Sequence, residues 1–376
     1  MAAFFNSARM MAIVERDMRK FFRSPALMMA AMVFPLVQLI VLGNAFGGKI
    51  HDAKLGIIDH DNGPQAIRVM ESLQSIQNNP RTFNTVLYTD EREMVDDVRK
   101  GHLNAALVIP PQFSRNIYEH ARPQIGLVID NTDNFLTSTF EEEMTQLVQA
   151  LNEPDVQPRV VQQAELQVVE LYPYIEYMKY LLPGSIALAM FVSVMIGGGI
   201  VYIDDKARGV HEGYLVTPIT KMELVAGLNV AGALKAMGAG IVLTVIGSLI
   251  AGVSNSFHPA NLFWLLLLIA LTSFAFVSMM FFMMVRVSDP LVPRAIFGIL
   301  NTLLYFPSGA IYPVQAFPVW LKWIARIDPF TYAVHGFKAV LLKGVGIAAI
   351  WPDVLYLGLF GMVMFILSTV LFKRTL

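Results

Sequence analysis

Apolar residues run in six long blocks, and most of the polar ones gather between the first block and the second. A helix needs about 20 mostly apolar residues to cross a hydrocarbon core of about 30 Å. The blocks at 26–46, 181–203, 224–252, 261–285, 291–312 and 353–372 meet that length, so the pattern predicts six spans. The third carries Lys235 and several glycines. A lysine close to a span's end extends its ammonium to the interface, and Lys235 is read as snorkelling in this way. Between residues 52 and 170 the period changes to short β-rich runs separated by polar helical segments. Strands are expected at 54–59, 82–88, 104–109 and 124–129, with helices at 64–76, 90–100, 113–121 and 135–151. That alternation predicts a small α/β domain with a mixed or parallel sheet.

Composition agrees with a membrane protein, because 55% of the 376 residues are apolar and only 15% are charged. A formal charge of -1 conceals an asymmetry: residues 49–180 hold 11 Lys/Arg against 20 Asp/Glu, and the remainder holds 17 against 9. Basic residues at span ends are retained in the cytoplasm. An inside N-terminus puts Arg9, Arg16, Arg19, Lys20, Arg23, Lys206, Arg208, Lys221, Arg286, Arg294, Lys373 and Arg374 on one side. The opposite short loops then hold only Lys322, Arg326, Lys338 and Lys343, so both termini are expected in the cytoplasm. Tyr172, Tyr174, Tyr177 and Tyr180 precede the second span, as rings favouring the headgroup layer would. The expected fold class is therefore an α-helical membrane protein with six transmembrane helices and an inserted extracytoplasmic α/β domain. Its divisions are an interface helix at 1–25, span one at 26–46, the outer domain at 47–180, and spans two to six at 181–376 with a cytoplasmic loop at 204–222.

Several chemistries are excluded or disfavoured. Without cysteine there are no disulfides, thiol nucleophiles or cysteine-ligated metals. No G-x-x-x-x-G-K-[ST] occurs, so the chain lacks the phosphate-cradling loop of a P-loop ATPase. The seven histidines are scattered, with neither an H-E-x-x-H pair nor a triad, and no catalytic or metal residue is assigned. Asp59, Asp61, Asp130 and Asp133 follow strands, where Asp makes turns and helix caps more readily than a cation site. The run Glu141 to Glu143 reads as a solvated helix face. Ion-coupled transport needs ionisable groups inside the bilayer, and the span interiors hold no Asp or Glu.

Four stretches resemble the permeases of ABC-2 type exporters, over nearly the whole chain. Glu15, Arg16, Asp17, Arg19, Lys20, Phe21, Phe22, Arg23 and Ser24-Pro25 resemble the family's amphipathic interface helix leading into span one. Lys100-Gly101, Ala105 to Pro110 and Phe113-Ser114 resemble a stretch of its outer domain. Leu182, Pro183 and Gly184 open span two, and 204–220 is similar to the cytoplasmic loop that meets the ATPase. Glu212 and Thr217-Pro218 match that loop, while Val210 stands where Thr is usual and the acidic position is displaced to Asp204-Asp205. Pro318, Trp320, Leu321, Asp328, Pro329, Thr331 and Tyr332 resemble the segment before the last span, with Asp328 where Asn is frequent.

The resemblance implies half of an exporter, with ATPase coupling through Arg16, Arg19, Arg23, Asp205, Arg208, Glu212, Thr217 and Pro218. It implies short re-entrant outer helices at 313–352. It further implies an ABC ATPase subunit that holds ATP and Mg, with no cofactor on this chain, and a second permease chain in a homodimer or heterodimer. A periplasmic adaptor and membrane lipids are further expected partners, nucleic acid is not, and the bacterial inner membrane is the expected location. Drugs, lipid-like molecules and other amphipathic compounds are the expected cargo. A membrane-anchored receptor or scaffold and an ion-driven carrier are the competing readings.

Overall fold

The computed structural model describes residues 6–47, 53–78, 83–119, 123–129, 134–152, 175–200, 202, 203, 205, 208, 209, 213, 214, 217–287, 289 and 291–372. The chain forms two compact units, Met1–Gly47 with Glu170–Leu376, and Gly48–Val169.

In the first unit, α1 (Ser7–Phe22) is capped by the Asn6 side chain, which accepts from the Ala8 N–H. Helix α2 (Pro25–Gly47) begins at a proline, whose fixed φ and missing N–H suit a first helical turn. Its buried positions Ala31, Pro35, Leu39 and Gly43 recur every four residues, and Met29, Val33, Phe34, Val37 and Ile40 face outward. Among the described residues, four helices are long and apolar enough to cross a membrane: Tyr177–Gly199, Lys221–Ala251, Pro259–Met284 and Ile347–Leu371. The stretch read as 291–312 is helical only over Leu291–Tyr305 and turns at Phe306 to Gly309, where Gly309 has φ +83°.

Tyr177–Val194 (α7) lies at the centre of this unit, with every residue from Leu181 to Phe191 buried. It continues into a π-helical turn at Met195–Ile200. Ile347–Leu371 lies at the periphery, burying the stripe Ile350, Asp353, Leu357, Gly361 and Ser368. Leu355, Leu359, Met362, Val363, Ile366 and Val370 are exposed on its other faces. So wide an uncovered apolar surface is stable against hydrocarbon and costly in water.

In the second unit the strands are β1 (Ala53–Asp59), β2 (Phe83–Leu87), β3 (Ala105–Ile109) and β4 (Gly126–Ile129). They form one sheet in the order β2-β1-β3-β4, parallel except for the β3–β4 pair. Helices Pro64–Asn78 (α3), Glu91–Arg99 (α4), Phe113–Tyr118 (α5) and Asn134–Asn152 (α6) complete it. Alternation along β1 sends Leu55 and Ile57 to a core with Val69, Phe113 and Phe140, and Ile58 to a smaller one with Met94 and Val98. Gly56 permits the second packing, since a Cβ there would meet Leu103 at 2.7 Å and Met94 at 3.0 Å. Each observed strand and helix overlaps a segment expected from the sequence, and the sheet is of the mixed kind. Asp59 accepts from the N–H groups of Asp61 and Asn62, and Asp61 accepts from the Ser114 N–H and hydroxyl, so both are turn-forming. Asp130 and Asp133 lie outside the described residues.

Candidate functional site

Helix α1 is amphipathic. Its buried residues Ile13, Val14, Asp17 and Phe21 lie along one face, and the basic Arg16, Arg19, Lys20 and Arg23 flank it. That face lies on α8 (Lys221–Ala251). Gly227 makes the close approach possible, because a Cβ there would meet Ile13 Cβ at 3.0 Å and the Met10 carbonyl at 3.1 Å. The start of α8 is fixed by a capping box in which the Glu223 carboxylate accepts from the Thr220 N–H, while the Thr220 hydroxyl accepts from the Glu223 N–H. Glu223 also accepts from the Asn6 N–H at 2.7 Å, tying the two helix starts together.

Charges complete the junction. Lys235 donates to the Asp17 carboxylate and, at 2.6 Å, to the Gly197 carbonyl. The π-helical turn that holds Gly197 shifts the hydrogen-bond ladder, an arrangement recurrent at functional sites. Lys235 is 3% exposed and Asp17 5%, so the pair is fully desolvated. The snorkelling expected of Lys235 is therefore corrected: its ammonium is buried against a carboxylate on a neighbouring helix and the Gly197 carbonyl. One turn along α1, Asp205 accepts from Arg16 at 3.1 Å and from Lys20 at 2.5 Å. The Tyr214 hydroxyl accepts from Arg16, and burial pushes that hydroxyl's pKa up against the opposing pull of the guanidinium. Arg9 donates to the Pro218 carbonyl at 2.7 Å. Thus α1 grips residues from both ends of the 204–220 loop and the start of α8.

Of the residues expected to couple to an ATPase, the structure joins Arg16 to Asp205 directly and brings Pro218 to α1 through Arg9. Thr217 donates its hydroxyl to the Tyr214 carbonyl at 2.8 Å and so shapes the loop. Arg19 pairs instead with Glu15 on an exposed face, and Arg23 is the exposed C-cap of α1. Arg208 is exposed beside Gly209, whose φ is +72°. Glu212 lies outside the described residues. The sequence reading did not assign Arg9, Lys20, Tyr214 or Glu223 to the site, nor the Asp17–Lys235 pair, whose signal was opposite charges on two apolar helix faces.

Farther along, Pro183 lies inside α7, and Gly184 meets Ala310 so closely that a Cβ would approach the alanine's Cβ to 2.6 Å. Pro318 precedes an amphipathic helix, Val319–Ile327, on which Trp320 is exposed and Leu321 partly buried. Asp328 caps the next helix, Pro329–Lys343, accepting from the Phe330 N–H at 2.9 Å and the Thr331 hydroxyl at 3.3 Å. Tyr332 donates to the Arg326 carbonyl and stacks on Tyr356 with centroids 3.7 Å apart.

A helical unit whose outer surface suits hydrocarbon, with a basic amphipathic helix locked to a polar loop, has the character of an integral membrane protein. The chain belongs to the ABC-2 family of transporter proteins, whose family model matches residues 25–370. It is 20% identical over 348 residues to the probable multidrug ABC transporter permease YbhR of Escherichia coli, covering 91% of this chain and 92% of that one. It is 23% identical to the inner membrane transport permease YhhJ of E. coli over 350 residues, covering 88% and 87%. Over 357 residues it is 24% identical to ABC transporter G family member 20 of Dictyostelium discoideum, covering 89% of this chain but 46% of that longer protein.

Proposed function

We propose that this chain is the membrane half of an ATP-driven exporter, with six spans, cytoplasmic termini and Gly48–Val169 outside a bacterial inner membrane. The observation that carries the reading is the clamp of α1 on Asp205, Lys235 and Pro218, which makes the helix and the loop one mechanical piece. A separate ABC ATPase binds and hydrolyses MgATP, and its closure pushes this piece and moves the spans between two states. A second permease chain supplies the other half, and an adaptor outside receives the cargo. The name of the multidrug relative, together with the Met- and Phe-rich spans, supports a drug-like or lipid-like amphipathic cargo.

The reading is tested by purifying the complex from native membranes and measuring ATP hydrolysis and dye export together. Asp205→Lys places a third cation beside Arg16 and Lys20, and is expected to lower export per ATP hydrolysed while leaving subunit association intact. Export and hydrolysis unchanged in that variant, or purification that never recovers an ATPase, would sink the proposal.

A further inference from the structure

A second polar constellation lies far along the chain from the clamp. Val319–Ile327, Pro329–Lys343 and the turn after Tyr305 enclose an open cavity of about 760 Å³, closed on other sides by Tyr180 and Asp353. Its charges are unbalanced. Asp353 already pairs with His335 at 2.8 Å, and this hydrogen bond holds the imidazole's pKa above its usual value. Lys322, Arg326 and Lys338 also line the cavity, and none of them forms an ion pair among the described residues.

Lys338 is the most constrained of the three. Its ammonium donates to the Gly309 carbonyl at 2.6 Å and lies 3.5 Å from the centroid of the Tyr180 ring. These contacts occupy two of its three donor directions and supply no negative charge. A partly buried cation without a counter-ion is costly, and an anion seated against the third N–H removes that cost. Arg326 is exposed with its guanidinium 4.7 Å from the Trp323 ring centroid, so it presents its donors near the mouth. Val314, Ala325 and Val334 give the wall an apolar portion suited to a hydrocarbon chain.

We propose that this cavity binds the anionic head of an amphiphile, a phosphate or similar oxyanion, with Lys338 as its buried counter-charge and Lys322 and Arg326 as mouth contacts. The site is built within the Tyr177–Leu371 part of the chain and does not depend on transport, so it stands or falls separately from the exporter reading.

The test uses the full chain in dodecyl maltoside and measures equilibrium binding of radiolabelled dodecyl phosphate, with dodecyltrimethylammonium as the opposite-charge control. The expected result is a saturable component for the phosphate alone, weakened about tenfold or more by Lys338→Met, retained by Lys338→Arg and weakened less by Arg326→Gln. Should Lys338→Met fail to fold, Arg326→Gln, at an exposed position, and Lys322→Gln decide the matter. Competition by phosphatidylglycerol assigns the head to a bilayer lipid, competition by inorganic phosphate to a free anion, and competition by neither to a single-chain amphiphile. The proposal is overturned by absence of a saturable component, by equal binding of both charge types, or by folded variants that bind like the wild type.

Discussion

Lys235 and Asp17 come from segments 218 residues apart in sequence, and each is buried where an unpaired charge would not persist. Removing one partner strands the other. Lys235→Met is therefore expected to destabilise the chain by about 3–5 kcal/mol, read as a lower unfolding temperature in detergent. Adding Asp17→Asn removes the stranded carboxylate and should restore much of the loss, a coupling that a double-mutant cycle measures. A double variant no more stable than Lys235→Met would show that the contact is incidental. The residue-level reading of Lys235 failed for a definite reason: sequence shows a lysine near a span end but not which helix lies against it.

At the scale of elements, the end of β2 is joined to α4 by a small titrating group. The Tyr88 hydroxyl donates to Asp97 at 2.6 Å, and His102 lies 3.2 Å from the other carboxylate oxygen. The hydrogen bond from Tyr88, with a smaller one from His102, holds the Asp97 carboxyl below its usual pKa, while Tyr88 itself is pushed up to about 12. Because the folded value for Asp97 is the lower one, its contribution to stability is complete above the unfolded carboxylate pKa of about 3.9. It is lost as pH falls through the depressed folded value. Tyr88→Phe raises that folded value, so the second unit should become sensitive to pepsin at a higher pH than in the wild type. Coincident acid profiles for the two proteins would dismiss the linkage. The β/α alternation itself was legible, since each strand is a short apolar run ended by turn residues. The order β2-β1-β3-β4 was not, because strand neighbours depend on where the crossover helices settle.

For the whole molecule, the absence of cysteine allows topology to be read with single introduced thiols. Gln74→Cys at an exposed position of α3 and Arg208→Cys in the exposed turn lie on opposite sides in the six-span reading. A membrane-impermeant maleimide is expected to label the first in intact cells and the second only after lysis. The reverse pattern, or labelling of both in intact cells, would break the proposed arrangement. Among the described residues, four helices meet the length and apolarity of a span on their own, and Met28–Asn44 and Ala295–Tyr305 are shorter apolar helices. The fifth apolar stretch was read too long because Phe306 to Ala310 continue the apolar run while Gly309, at positive φ, turns the backbone.

The sequence by itself determined the membrane class, the α/β character of 53–152 and the family, because apolar block length, period and local motif are properties of the chain in one dimension. It also singled out Arg16, Asp205 and Pro218, which the structure gathers around α1. The tertiary structure alone decided that Asp17 meets Lys235, that Arg9 reaches Pro218, that Arg19 and Arg23 stay outside the clamp, and that Lys322, Arg326 and Lys338 surround one cavity. These are meetings between segments distant in sequence, fixed by which helix faces bury together and by where glycines such as Gly227 and Gly184 let backbones approach. No local pattern encodes them, since burial sets the energetic demand for a partner while only packing selects which partner meets it.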